Sequence, residues 1–255
     1  SGKLSLQDAV KLTLVHNKML QQTLEERSIA EGQILRSRAA YLPNASLSAE
    51  YRRLDEATVL PAFPAFGDQP IPVSTLNNYS TGLTVTQPFY AGGAITAQVQ
   101  LARLSSLLAD QTIRAATQDV VYAAETAYYD LLLSHHLVDI SAEAVRTAKV
   151  HLEDVEKKRA GGVASNFDVL RAQVELSNFE AELIRSKNAI NIARANLIKT
   201  MGVSQDSTFV LSDEFVFAPV QVTMEEAVET AFTNRPDLYS REYQIRQQRD
   251  RKSVV

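Results

Sequence analysis

No cysteine occurs among the 255 residues. That excludes disulfides, thiol catalysis and cysteine-ligated metals, and leaves the compartment open. No stretch approaches the roughly 18 consecutive apolar residues of a transmembrane helix. No signal peptide opens the chain; Ser1-Gly2 reads as a cloning remnant or a processed start, which leaves room for a removed signal. Basic residues are not in excess, 26 against 30 acidic for a net charge of −4, so there is no footprint for nucleic acid. Nine glycines and eight prolines are few, and they gather between residues 43 and 93 and around residue 161. The rest is free to be helix. Also missing are a nucleophile beside a base, a Gly-rich phosphate loop and a pair of carboxylates suited to a cleft. An enzyme is therefore not expected, and no cofactor is implied. His135 and His136 are adjacent, which on a helix sends them to different faces, whereas shared metal ligands sit three or four apart. No metal site is expected. What remains, 45% hydrophobic and 22% charged, is the composition of an ordinary folded protein.

The clearest positive signal is a repeat. Ser5-Leu6-Gln7-Asp8-Ala9-Val10 returns as Thr223-Met224-Glu225-Glu226-Ala227-Val228, an offset of 218 residues. Each copy pairs a hydroxyl residue with an acid three positions on, a capping box that predicts a helix start. A period this long marks a duplicated domain, not a solenoid unit. The chain is read as one full repeat plus the start of a second, which implies a whole protein of roughly 430 to 480 residues.

Along the first repeat the hydrophobic period changes twice. Ser5 to His16 is a short helix with Leu6, Val10 and Leu14 on one face, and Lys18 to Tyr41 a second, more polar helix. After Pro43 the period becomes two. Ala45, Leu47, Ala49 and Tyr51 alternate with Ser46, Ser48, Glu50 and Arg52, and Tyr79, Thr81, Leu83 and Val85 alternate with Ser80, Gly82, Thr84 and Thr86. A proline-rich loop, residues 57–78, separates the two runs. Such alternation fits strands of an outer-membrane barrel, and equally a small soluble hairpin packed on helices. From Gly93 to about Ala160 the helical period holds, a length on the order of 100 Å. Ala124, Leu131, Val138, Val145 and Leu152 form one heptad set in it, with Ala127, Ser134, Ser141, Ala148 and Val155 three behind. From Asn166 to Met201 a second helix carries Val169, Leu176, Leu183, Ile190 and Leu197, with Ala172, Phe179, Ser186, Ala193 and Thr200. Two heptad helices joined by a short turn predict an antiparallel coiled-coil hairpin. Gly161 and Gly162 stop the first helix, and Ser165 with Asp168 caps the second. Tyr122, Tyr128 and Tyr129 read as an aromatic packing cluster. An extended stretch, Thr208 to Val222, leads into the repeated helix start.

Five stretches, in order, carry a resemblance to a known family. They are Leu6-Gln7-Asp8-Ala9-Val10 to Leu20, Tyr41-Leu42-Pro43, Gln87-Pro88-Phe89-Tyr90-Ala91-Gly92-Gly93, Gly162-Val163-Ala164-Ser165-Asn166-Phe167-Asp168-Val169-Leu170, and Leu197-Ile198-Lys199-Thr200-Met201-Gly202. Together they resemble the TolC-like outer-membrane efflux proteins, and the likeness covers nearly the whole chain. The resemblance implies a mainly α fold with a β-hairpin: a long helical hairpin in an α-barrel wall, plus two strands of an outer-membrane β-barrel, here truncated. It divides the chain into N-terminal helices (1–42), a strand pair with an extracellular loop (43–92), a periplasmic helical hairpin with its tip at 160–168 (93–202), an equatorial extended segment (203–222) and the start of the second repeat (223–255). The implied assembly is a homotrimer in outer-membrane lipid of a Gram-negative bacterium, with a large periplasmic part. A periplasmic adaptor and an inner-membrane transporter are the implied partners, in efflux or type I secretion.

The tip residues Gly161, Gly162, Val163, Ala164 and Ser165 would meet the adaptor, although any helical hairpin turn needs such residues. A second glycine stands where some family members carry leucine. Asp168 matches an acidic position that in the family latches neighbouring helices; as an N-terminal cap it also contributes on its own. The resulting expectation is a passive exit duct gated at the Gly161–Asp168 end. The alternative, from another class, is a soluble periplasmic coiled-coil adaptor or scaffold, which would lack the 218-residue duplication. By itself this half is expected to form no complete pore.

Overall fold

The structure, a computed structural model, describes residues 2–56, 59–60, 71–72, 75–216, 219 and 221–252. Among the described residues six helices and six strands follow one another: β1 (Gly2–Leu4), α1 (Leu6–His16), α2 (Lys18–Ala39), β2 (Asn44–Arg53), β3 (Val59–Leu60), β4 (Ile71–Pro72), β5 (Asn77–Thr86), α3 (Ala94–Ala160), α4 (Asn166–Met201), β6 (Phe209–Leu211), α5 (Met224–Asn234) and α6 (Pro236–Lys252). The chain divides into two compact units, residues 1–29 with 106–245 and residues 30–105 with 246–255. The boundaries between these units fall inside α2, α3 and α6.

The first unit is built on the α3–α4 hairpin. Its seam follows the heptads. Ala124, Ala127, Leu131, Val145, Ala148 and Val155 of α3 are buried, as are Val169, Ala172, Ser186 and Leu197 of α4. Of the twenty heptad positions only Phe179 is exposed. The small residues let the helices approach closely, and Ser141 and Ser186 meet across the seam at 2.9 Å, each satisfied further by its own helix. Both long helices end in a Schellman motif, in which a left-handed residue lets two amides return to the last turn. Gly162 (φ 77°) does this for α3, with Val163 N–H on the Lys158 carbonyl and Gly162 N–H on Arg159. Gly161 has no such backbone, so only one of the two tip glycines is required by conformation.

The main core lies at the other end of α4. Ala127, Tyr128 and Leu131 of α3 meet Leu197, Ile198 and Met201 of α4, and Leu4 and Ala9 close over them. The buried face of α1 is therefore Ala9 and Thr13, not the expected Leu6–Val10–Leu14 stripe, which is only half-buried. Small residues win there because α1 lies close against α4. Gly2–Leu4 forms a strand parallel to Phe209–Leu211. The tyrosine cluster splits: Tyr128 is fully buried, Tyr122 is exposed, and Tyr129 stacks on Phe215 at 6.0 Å. Phe217, expected in the same extended stretch, lies outside the described residues.

The repeat is visible element by element. α1 and α5 are both eleven residues, each ends on one extended residue (Asn17 or Arg235), and α2 and α6 begin at the same offset of 218. Their starts differ. α5 has the full capping box, Thr223 with Glu226. At α1, Ser5 Oγ accepts from Asp8 N–H, but the reciprocal half is absent. Instead Asp213 reaches from the segment after β6 and accepts the first helical amide, Leu6 N–H, at 2.7 Å.

In the second unit β2 and β5 form an antiparallel pair of ten rungs from Asn44↔Thr86 to Arg53↔Asn77. The junctions with the helices are tied together: Tyr41 Oη and Thr96 Oγ1 lie 3.0 Å apart, and Gln87 Nε2 donates to the Tyr41 carbonyl. β5 starts two residues earlier than expected and stops at Thr86. Of the expected loop, residues 57–58, 61–70 and 73–74 lie outside the described residues; within it β3 pairs antiparallel with β4.

Candidate functional site

Two places follow from the sequence reading, the strand pair and the hairpin tip. In the strand pair the register decides the outcome, because a slip of one residue would exchange the faces. The observed rungs are Ala45↔Val85, Leu47↔Leu83, Ala49↔Thr81 and Tyr51↔Tyr79, so both apolar runs share one face. The rungs between, Ser46↔Thr84, Ser48↔Gly82, Glu50↔Ser80 and Arg52↔Asn78, make the other face polar. Nothing among the described residues covers the apolar side: Leu47 is 76% and Leu83 71% exposed. A soluble hairpin would lay this face on the helices, since each such side chain is worth about 1.5–3 kcal/mol when buried. At one end of the band Tyr51 and Tyr79 stack with ring centroids 4.9 Å apart, and Tyr51 Oη donates to Asn77 Oδ1. Amphipathic rings at the border of an apolar band are what a membrane–water interface favours. Ten residues reach about 30 Å along a strand, or about 23 Å in height at a tilt near 40°, close to the outward band of an outer-membrane barrel. No described helix is long and apolar enough to cross a membrane.

At the tip, Ser165 and Asp168 form the full capping box of α4. Ser165 N–H donates to Asp168 Oδ2 at 2.8 Å, and Asp168 N–H to Ser165 Oγ at 3.2 Å. The Ser165 hydroxyl and amide hold the Asp168 carboxyl below the usual carboxylate range, with Arg171 adding its charge. Of the five candidate contact residues, Ala164 is half-buried and packs against the cluster of Val155, Val169 and Ala172. Gly161, Gly162, Val163 and Ser165 face solvent, and Val163 is joined outside by Phe167 and Leu170, both exposed. The sequence reading did not single out those last two, although their types and their place beside the turn were in view. Removing the Ser165 hydroxyl in Ser165→Ala is expected to lower stability by about 1 kcal/mol, checked by chemical denaturation of the helical signal.

The third constellation was invisible in the sequence. Tyr128 Oη lies 3.0 Å from both the Leu4 carbonyl oxygen and Asp213 Oδ2, and Asp213 also receives the Leu6 amide. Burial, then Asp213, pushes the Tyr128 phenol up to about 12. The Leu6 N–H holds the Asp213 carboxyl low. Together Tyr128 and Asp213 tie α3 to β1 and to the start of α1. Among the described residues no cluster of His, Asp or Glu could hold a metal ion.

Comparison with known proteins gives the same picture. A family model described as outer membrane efflux protein matches residues 9–203. Outer membrane protein TolC of Escherichia coli is 22% identical over 209 residues, covering 82% of this chain and 42% of that protein. Protein CyaE of Bordetella pertussis is 24% identical with the same coverage. Among solved structures, the outer-membrane channel OprN superposes with a TM-score of 0.77 at 18% identity, over 98% of this chain and 54% of that one. The Campylobacter jejuni CmeC outer membrane channel gives 0.73 at 18%, over 98% and 52%. The chain thus spans less than half the length of the curated relatives it matches.

Proposed function

The chain belongs to the outer membrane efflux protein family, and so to the outer membrane, and on that premise we propose that the whole protein is a passive trimeric exit duct. In this reading each protomer gives β2, β5 and two strands of a second repeat to a shared barrel, and the helical hairpins wall a water-filled bore. A periplasmic adaptor meets the tip at Gly161, Gly162, Val163, Ala164 and Ser165, and an inner-membrane transporter supplies the energy. The observation that carries the reading is the register of β2 and β5, which gathers every large apolar side chain of the pair on one face that no described residue covers. The repeat supports it too. α1 is covered by its neighbours, while its counterpart α5 buries no residue and exposes Met224, Val228 and Phe232.

Asp168 is proposed as a gate latch in addition to its cap. Opening would be a small untwisting of the hairpin, biased by adaptor binding. The test is single-channel recording of the whole protein in a planar bilayer. Discrete conductance steps are expected, and Asp168→Asn is expected to raise the open probability while Ser165→Ala, which weakens the same cap, leaves it alone. Equal effects from both would reduce Asp168 to a cap. No conductance from folded protein would end the duct reading and favour a periplasmic scaffold.

A further inference from the structure

The polar face of the strand pair is uneven, and its unevenness is ordered. From the helix end it runs through Asn44 and Thr86, Ser46 and Thr84, then Ser48 and Gly82, all small or neutral. Two of these hydroxyls turn back on the sheet: Ser46 Oγ donates to the Thr84 carbonyl and Ser48 Oγ to that of Gly82. A Cβ at Gly82 would touch Ser48 Oγ at 3.4 Å, so the sheet surface is low and smooth there. Toward the loop end it changes. Glu50 and Arg52, two apart and therefore on one face, pair across 2.9 Å with Arg52 Nη2 donating to Glu50 Oε1. Ser80 and Asn78 stand opposite them. Glu50, Arg52, Leu54, Asn78, Tyr79 and Ser80 line an open concavity of about 470 Å³ at this end of the pair.

The pair is a poor stabiliser. Both side chains are well over half exposed, and exposed ion pairs contribute about 0–1 kcal/mol. Two long charged side chains on an otherwise neutral, small-residue face have their main effect on what passes over them. We propose that Glu50 and Arg52 form a paired charge ring on the pore side of the barrel, at its loop-proximal rim, and that its two opposed charges hold the passage of cations and anions in balance. The inference rests on the duct reading, because only in a closed barrel does the polar face become an interior. Threefold symmetry would then set three carboxylates and three guanidinium groups around one opening, where converging low-dielectric walls strengthen their field. Intact, the two signs offset each other. Neutralising one unmasks the other.

The test is the reversal potential of the whole protein in a planar bilayer under a potassium chloride gradient. Glu50→Gln is expected to move the cation-to-anion permeability ratio toward anions by on the order of twofold, and Arg52→Gln toward cations by a similar factor. The shifts should shrink at high salt, since exposed charges are screened within about 10 Å at 0.1 M. Arg52→Lys, which keeps the charge, should leave the ratio unchanged and shows that insertion survives substitution. Normal conductance with an unchanged ratio in both neutral variants overturns the ring and leaves the duct standing. Absence of any conductance from the unaltered protein overturns both.

Discussion

Replacing Gly202 with alanine lowers the stability of the helical unit by about 3–5 kcal/mol, a large loss for one methyl group. Two costs add. Gly202 ends α4 at φ 70°, ψ 22°, the left-handed region that costs an L side chain about 1–2 kcal/mol. The added Cβ would also lie 2.4 Å from the His16 carbonyl oxygen, 2.8 Å from its carbon and 3.2 Å from Asn17 Cα. These are backbone atoms, so no side chain can swing aside. They sit at the α1–α2 junction, which Asn17 ties to α4 by donating Nδ2 to the Thr200 carbonyl while its Oδ1 accepts from Leu20 N–H. Relief would require moving α1 off the core. Gly32 is the internal control. It lies inside α2 with nothing within 4 Å of a built Cβ, so Gly32→Ala is expected to be neutral or to stabilise by up to about 1 kcal/mol. Denaturant unfolding followed by far-ultraviolet circular dichroism reads both. Equal effects at the two positions would refute the close approach at Gly202.

Tyr128 is the second large effect. It is fully buried among Leu4, Ala9, Leu131, Leu197 and Met201, and truncation in Tyr128→Ala is expected to cost about 3–5 kcal/mol. Tyr128→Phe keeps the ring and should cost about 1–2 kcal/mol, the hydroxyl share. That share is modest because the Leu4 carbonyl also accepts from the Ser212 amide and hydroxyl, and so stays satisfied. The pH dependence follows by sign. The Tyr128 pKa is raised to about 12, so its contribution is complete below the ordinary tyrosine value near 10 and is lost as pH rises from there to about 12. Asp213 is shifted the other way, so its contribution is present above the unfolded carboxyl value near 3.9 and is lost as pH falls through its lower folded value. Tyr128→Phe should flatten the alkaline limb of the stability curve, and Asp213→Asn should weaken the acid limb. An alkaline limb unchanged in Tyr128→Phe would mean that the phenol is not the group titrating there.

The elements that could be read from the chain are those that local chemistry decides. The 218-residue repeat survives as α1 and α5, eleven residues each behind a hydroxyl cap, because capping hydroxyls and helix lengths are local properties. The α3–α4 seam follows the heptads because a helical face is set by spacing alone. The two faces of β2 and β5 were already present in the alternation, one residue at a time. The tip is partly of this kind: its capping box is written in Ser165 and Asp168, but one of its two glycines turned out to have an ordinary backbone.

What needed the tertiary structure is whatever depends on residues far apart meeting. β1 and β6 are three residues each, too short to show a period, and their parallel pairing spans about 207 positions. The choice of Ala9 and Thr13 as the buried face of α1 follows from how near α4 comes, which α1 cannot encode alone. The same holds for Asp213, which serves a helix start more than 200 residues away, and for Gly202, where the turn calls for glycine but only the His16 backbone makes it indispensable. Register belongs here as well: alternation gives each strand two faces, and only the pairing of Leu47 with Leu83 and Tyr51 with Tyr79 makes the apolar faces one surface. The sequence by itself determined the long helices, the two alternating strands, the cap at the tip and the repeat, because those energies lie within a few residues of chain. The tertiary structure alone decided which faces are covered and which polar groups meet, because those energies depend on atoms that only folding brings within reach.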